Sequence, residues 1–237
     1  ITDKINKLRA IKSDDEINKI KAAQSITDKT FSDVLNKIYE GMSEKELNSI
    51  LSSILYQNGA ESLAFDNIVA FGKNTSKPHA HPTSTQLKKG MPITLDFGAK
   101  LNNYCSDMTR TIFFGKPDDE IIATYNVVLE AQKIALENIR VGMTGKECDN
   151  LARKYFKTQG VDKHFLHSLG HSLGIDIHET PNFSQKCEDV MMGNMVLSVE
   201  PGLYFENNYG IRIEDIIYFD KNTVNNLTNS PKNLIII

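Results

Sequence analysis

The spacing of apolar residues changes several times along the chain, and each change marks a new element. From Ile17 onward Ile20, Phe31, Val34, Leu35 and Ile38 recur at helical spacing. Ser13 with Glu16 three residues later forms a capping box in front of them, so a helix is expected from Asp14. Ser43 and Glu46 repeat the box ahead of Leu47, Ile50, Leu51, Ile54 and Leu55, in a helix expected to stop near Gly59. Short β-branched and aromatic runs follow at 68–71 and 93–97 and read as strands. Pro117-Asp118-Asp119-Glu120 opens a third helix through Ile121, Val128, Leu129, Ile134 and Ile139. Thr144 and Glu147 cap a fourth, after which strand-like segments return.

The stretch 93–114, ITLDFGAKLNNYCSDMTRTIFF, has strand-like flanks around the turn formers Gly98, Asn102 and Asn103. A hairpin turning at Leu101-Asn102 brings Asp96 and Asp107 nearly opposite each other. Two carboxylates facing each other in a half-buried sheet repel, and both lose hydration. Either they are solvated at an edge, or something positive sits between them.

The order of elements conceals a repeat. GMSEKEL (41–47) returns as GMTGKEC (142–148), and HAHP (79–82) as HETP (178–181). Gly90 precedes a strand ending in Asp96, and Gly193 a strand ending in Glu200. NNYCSDMTRTIFF is echoed by NNYGIRIEDIIYF, which carries Glu214 where the first copy carries Asp107. Four echoes in one order, at an offset near 100 residues, point to a duplicated fold with a pseudo-two-fold axis. The offset is too long for a solenoid repeat.

Composition narrows the function classes. The chain has 237 residues, 40% of them apolar, enough for a full core. A net charge of −3 without a basic block gives no reason to expect nucleic acid or an anionic membrane as partner. No apolar run reaches the length of a spanning helix and no secretory leader is legible. Cys105, Cys148 and Cys187 are odd in number and lack metal-site spacing, which suits a reducing cytoplasm. The first residue is isoleucine, so a trimmed piece of a longer chain is expected.

The second hairpin supplies a second acid pair, Glu200 and Glu214, flanking FENNYG. Pseudo-symmetry brings both pairs to the centre. Four converging carboxylates must be paired or coordinate metal, because buried unpaired charge is too costly. Bridging carboxylates suit two divalent cations, and oxygen donors with one imidazole favour Mn²⁺, with Co²⁺, Fe²⁺ or Zn²⁺ also compatible. All six histidines fall between His79 and His178. For any single histidine a satisfied core or surface imidazole is the plainer reading, and His81 and His164 fit it. Clustering singles out His79, His167, His171 and His178.

The segments PHAHP, LDFGA, SDMTRTI, GHSLGIDIHETP, VEPGLY and IRIED resemble the signature of the pita-bread metallopeptidases, the superfamily of creatinase and methionine aminopeptidase. The resemblance covers almost the whole chain. It implies an α+β pita-bread fold, with two pseudo-symmetric halves, about 14–115 and 117–237, around a curved antiparallel sheet. Residues 1–237 would form one catalytic domain lacking the N-terminal domain usual in the family. By matching position, Asp96, Asp107, His171, Glu200 and Glu214 would be the metal ligands, with Asp107 and Glu214 bridging two ions. The context Arg212-Ile213-Glu214-Asp215 looks like the proline-peptidase branch, and the retained ligands set the chain apart from creatinases. Ser172 departs from the glycine usual after the ligand histidine.

In that branch a metal-activated water attacks the scissile carbonyl. His178 would stabilise the oxyanion, Glu200 would shuttle a proton to the leaving nitrogen, and His79 would position the substrate. His167, Tyr204 and Arg212 would surround the proline or steer the peptide. The plainer readings are core packing for Tyr204 and a salt bridge to a ligand carboxylate for Arg212. The expected activity is an Xaa-Pro aminopeptidase acting on peptides with proline in second position, with a homodimer expected of the full-length protein. The alternatives are a proline dipeptidase with the same chemistry, and a non-catalytic peptide-binding relative.

Overall fold

The capping boxes read from the sequence are formed. In the computed structural model, which describes residues 2–221 and 223–237, Ser13, Ser43 and Thr144 each accept the backbone N–H three residues on, while Glu16, Glu46 and Glu147 reach back. They open α2 (Asp14–Leu35), α3 (Glu44–Gln57) and α5 (Gly145–Thr158), and α4 (Asp119–Asn138) starts after Asp118. α2 ends before Ile38. A preceding helix, α1 (Thr2–Ala10), was not expected, because its sequence is mostly polar and carries no capping signal.

The strands of the first half are β1 (Ser62–Leu63), β2 (Ile68–Phe71), β3 (Met91–Phe97), β4 (Ala99–Leu101), β5 (Tyr104–Cys105) and β6 (Met108–Phe114). Those of the second are β7 (Gly170–Ser172), β8 (Glu179–Phe183), β9 (Val196–Val199), β10 (Gly202–Phe205), β11 (Tyr209–Arg212), β12 (Asp215–Asp220) and β13 (Thr223–Asn226). They form antiparallel ladders in the orders β2-β3-β6, β1-β4-β5, β10-β11 and β13-β12-β9-β7-β8. The two halves join where the Glu214 N–H donates to the Thr109 carbonyl and the Arg212 N–H to the Thr111 hydroxyl.

One apolar cluster packs α3 and the end of α2 on β2, β3 and β6, through Phe31, Leu47, Leu51, Ile93, Leu95 and Phe97. A second packs α4 and α5 on the other half, through Val128, Phe156, Leu197 and Phe219. Period-two alternation then turns Asp96, between Leu95 and Phe97, away from the helices. The halves repeat fine detail: Gly41 and Gly142 both have positive φ, of 89° and 92°. Their N–H groups donate to Leu87 and Met191, whose own N–H groups return to Met42 and Met143.

The first hairpin differs from expectation. Its turn is Asn102-Asn103, with φ of 50° and 68°, the two left-handed residues that a tight type I′ turn demands. The resulting register sets Asp96 opposite Thr109 and Lys100 opposite Cys105. Asp107 therefore lies diagonal to Asp96, not opposite it. In the second half, Val199 pairs with Asp215 at the end of the β9–β12 ladder, and one step further come Glu200 and Glu214.

Candidate metal centre

A cavity of about 450 Å³ opens where the halves meet, and Asp96, Asp107, His171, Glu200 and Glu214 all line it. Asp96 and His171 lie within β3 and β7, and Asp107, Glu200 and Glu214 each stand one residue outside a strand, next to β6, β9 and β12. His171 sits in β7, at a register shift that re-aims its side chain. The strand can approach β9 this closely because residue 170 is glycine: a Cβ there would lie 1.9 Å from the Ser198 carbonyl oxygen.

One donor atom from each of Asp107, His171 and Glu214 lies within 4.8 Å of the others. His171 Nε2 is 3.6 Å from Asp107 Oδ2 and 3.4 Å from Glu200 Oε1. Its Nδ1 faces the Ser172 carbonyl at 3.2 Å, which leaves Nε2 free to turn a lone pair on the acids. Ser198 donates to Glu200 Oε1 at 3.1 Å, and Thr109 donates to Glu214 Oε2 at 2.6 Å. Arg212 donates from Nη2 to Asp96 Oδ2 at 2.6 Å, from Nε to Thr109 Oγ1 at 2.9 Å and from Nη1 to Tyr204 OH at 2.8 Å.

The remaining oxygens test whether a cation fits. Asp96 Oδ1, Asp107 Oδ1 and Glu214 Oε1 are buried and have no hydrogen-bond partner among the described residues. Burial and the neighbouring acids Glu214, Asp96 and Glu200 push the Asp107 carboxyl well above the usual range, and burial with Glu200 and Asp96 does the same to Glu214. Burial raises Asp96 and carries Glu200 up to about 7, against the pull of Arg212 on both. Orphaned, mutually repelling carboxylate oxygens around one imidazole are what a divalent cation satisfies. The donor set fits.

The other predicted residues divide. His79, His167, His178 and Arg212 line the same cavity. His178 packs edge-on to His171, with ring centroids 4.4 Å apart. Burial lowers His167 to about 3, so it is neutral, and its Nε2 faces Tyr204 OH at 2.9 Å. Tyr204 does not itself line the cavity: it is buried behind the wall, where its hydroxyl links His167 and Arg212. Arg212 makes the salt bridge to Asp96 that its plainer reading anticipated. His81 is exposed away from the cavity, and His164 stacks on Phe205. Ser172 is accommodated: its buried hydroxyl donates to the Val196 carbonyl and accepts from Lys12 Nζ at 3.1 Å.

Sequence reasoning missed Thr109, which joins Arg212 to Glu214, and the buried pair of Arg110 and Asp215. Arg110 is fully buried, donates to the Glu214 carbonyl and pairs with Asp215 at 2.8 Å. The signal was present. A charged residue inside each of two apolar strands, TRTIFF and EDIIYF, calls for a buried partner.

This fold and donor set place the chain in the class of pita-bread metallopeptidases. It belongs to metallopeptidase family M24, whose family model matches residues 18–221. The chain is 40% identical to the Xaa-Pro dipeptidase of Pyrococcus furiosus over 99% of its own length and 68% of that protein's. Among solved structures it resembles an Xaa-Pro dipeptidase from Bacillus anthracis, with a TM-score of 0.97 and 41% identity, covering 98% of this chain and 66% of that one. It resembles an X-Pro aminopeptidase from Thermotoga maritima equally in shape, with a TM-score of 0.97, 38% identity and coverage of 100% and 67%. The similarity falls in the Xaa-Pro peptidase branch, and the chain spans about two thirds of the length of these relatives. Among the described residues no helix is long and apolar enough to cross a membrane.

Proposed function

We propose that the chain hydrolyses the peptide bond before proline, with Xaa-Pro dipeptides as its substrates. The observation that carries this reading is the convergence of four carboxylates and one imidazole in a cavity, with three carboxylate oxygens left unpartnered. Relatives named Xaa-Pro dipeptidase favour dipeptides over the longer peptides of an Xaa-Pro aminopeptidase. The aminopeptidase reading stands second, on the similarity to the Thermotoga maritima structure.

Asp96, Asp107, His171, Glu200 and Glu214 would hold two divalent cations, with Asp107 and Glu214 shared. Four carboxylates against the single guanidinium of Arg212 leave three negative charges, more than one divalent ion neutralises. Mn²⁺ is the first choice for this donor set. When bound, such cations polarise a peptide carbonyl and make water at the site more acidic.

The chain's own groups do the rest. Burial lowers the pKa of His178, so its neutral ring offers one N–H to the carbonyl oxygen as charge develops there. Glu200 carries the proton to the leaving nitrogen. His79 orients the substrate at the mouth, and His167 with Arg212 flanks the proline, both braced by Tyr204. Cys105, Cys148 and Cys187 are free, which supports a cytoplasmic location. The family resemblance supports a homodimer.

Purified protein supplied with Mn²⁺ should cleave Xaa-Pro dipeptides faster than Xaa-Pro-Yaa tripeptides. Faster tripeptide cleavage favours the aminopeptidase reading, and no metal-dependent cleavage of either refutes both.

A further inference from the structure

Glu44 is the first residue of α3, a position where an acid favours the helix N-terminus and ordinarily stays in water. Here it is fully buried, and no Lys, Arg or His pairs with it among the described residues. Its carboxylate instead collects four donors. Oε1 accepts the Phe71 N–H at 2.7 Å and the Asn74 amide at 2.9 Å. Oε2 accepts the Thr83 N–H at 2.7 Å and the Thr83 hydroxyl at 2.5 Å.

These donors lie at the two ends of one segment. Phe71 and Asn74 enter it, Thr83 leaves it, and residues 77–82 between have no regular helix or strand to hold them. Within the segment His79 lines the cavity, and the Pro78 carbonyl accepts Arg212 Nη1 at 3.1 Å. Together with the Glu44 and Lys45 N–H groups, which hold the Thr85 and Thr83 carbonyls, and the Asn74 amide, which reaches the Thr85 hydroxyl, this carboxylate closes the loop that brings both groups to the centre. The matching position in the second half, Gly145 of GMTG, has no room for such a device. A Cβ there would lie 2.2 Å from the Asn182 carbonyl oxygen and 2.7 Å from Cys187 Sγ. In both halves the first two N–H groups of the helix donate to carbonyls of the segment packed on it, Thr85 and Thr83 in the first and Asp189 and Cys187 in the second, and the first half adds the Glu44 carboxylate, around which its segment folds.

We propose that Glu44 is a positioning residue for the peptidase reaction, acting through the 72–85 loop on His79 and on the Pro78–Arg212 contact. This rests on the reading of His79 as a substrate-facing group. Glu44→Gln keeps the shape but turns an N–H₂ toward N–H groups that need an acceptor. With an Xaa-Pro dipeptide and Mn²⁺-loaded protein, Glu44→Gln and His79→Ala should each lower kcat/KM roughly 10- to 100-fold, as small misplacements of reacting groups do. The double variant should be no worse than His79→Ala alone, and bound Mn²⁺ should be unchanged throughout. Independent losses that multiply in the double variant would overturn the proposal, as would loss of metal from Glu44→Gln. Full activity of His79→Ala defeats the reading of His79 and the proposal with it, a result distinct from multiplying losses. Should Glu44→Gln fail to fold, Thr83→Val removes one tie from the far side of the loop. It should show a smaller loss, again absent on a His79→Ala background, and a loss that persists there overturns the proposal.

Discussion

The hydroxyl of Thr109 donates to Glu214 Oε2 at 2.6 Å, although the two residues are 105 positions apart. The same hydroxyl receives Arg212 Nε, while Glu214 Oε1 has no partner among the described residues. One oxygen is thus spoken for and the other presented to the cavity. The small side chain that sorts them sits directly opposite Asp96 in the β3–β6 ladder.

Thr109→Val keeps the shape and removes that hydroxyl. Arg212 Nε then loses its acceptor and Glu214 is freed to rotate. Metal affinity should drop roughly 10- to 100-fold, the usual loss when a group orienting a ligand is removed. Calorimetric titration with Mn²⁺ checks this, and affinity equal to the parent's would remove Thr109 from the support of the site.

Glu214→Gln should separate stability from function. In metal-free protein burial, Glu200 and Asp96 disfavour the charged form of this carboxyl. Neutralising it should stabilise the metal-free fold by about 1–3 kcal/mol, the scale of an uncompensated buried polar group. Activity should fall by orders of magnitude at the same time. Urea melts in the presence of chelator, set beside turnover with Mn²⁺, measure the two effects.

The metal-free protein should also lose stability as pH rises from about 4.5 to about 7 because of Glu200, whose carboxyl burial raises to about 7. Between the unfolded and folded pKa values the native state binds the extra proton, so its advantage is present below the window and is lost through it. His167 works in the other direction. Its folded pKa near 3 makes its contribution full above 6.5, the ordinary value, and lost as pH falls toward 3. Glu200→Gln should lessen the first slope, to which the raised carboxyls of Asp107 and Glu214 also contribute, and leave the second, as pH-dependent melts of the stripped protein would report.

His171 and His178 should fail differently despite touching rings. His171→Ala deletes the imidazole whose Nε2 lies 3.6 Å from Asp107 and 3.4 Å from Glu200, so metal content and rate should both fall. His178→Ala should keep its metal and lose roughly 100- to 1,000-fold in kcat, as loss of one oxyanion donor does. His81→Ala, exposed and outside the cavity, is the control and should change neither. Metal analysis and turnover on the three variants decide it, and the reverse pattern for His171 and His178 would exchange their roles.

The helices and the internal repeat were legible in the sequence because both are local. A capping box spans three residues and an apolar helix face repeats within a turn, so Ser13, Ser43 and Thr144 mark their helices without help from the rest of the chain. α1 carries no such mark, and what holds it is distant: Arg9 pairs with Asp176, and Lys12 just beyond the helix reaches Glu179. The candidate donors were legible too, since unpaired acids inside β-branched runs stand out against a core that must be dry. Their mutual geometry was not. The register of the first hairpin depended on whether Asn102 and Asn103 both took left-handed φ, and one pair's shift turned facing aspartates into diagonal ones.

By itself, then, the sequence determined which residue types are available and roughly which element carries each, because propensity and period act over a few neighbours. Only the tertiary structure decided what those residues touch. Thr109 meets Glu214, Arg110 meets Asp215, and Glu44 gathers both ends of the His79 loop. Tyr204 stands behind the cavity wall, bracing His167 and Arg212. The physical reason is that a buried polar group must find its partner wherever folding places one, at sequence separations where no periodic signal survives.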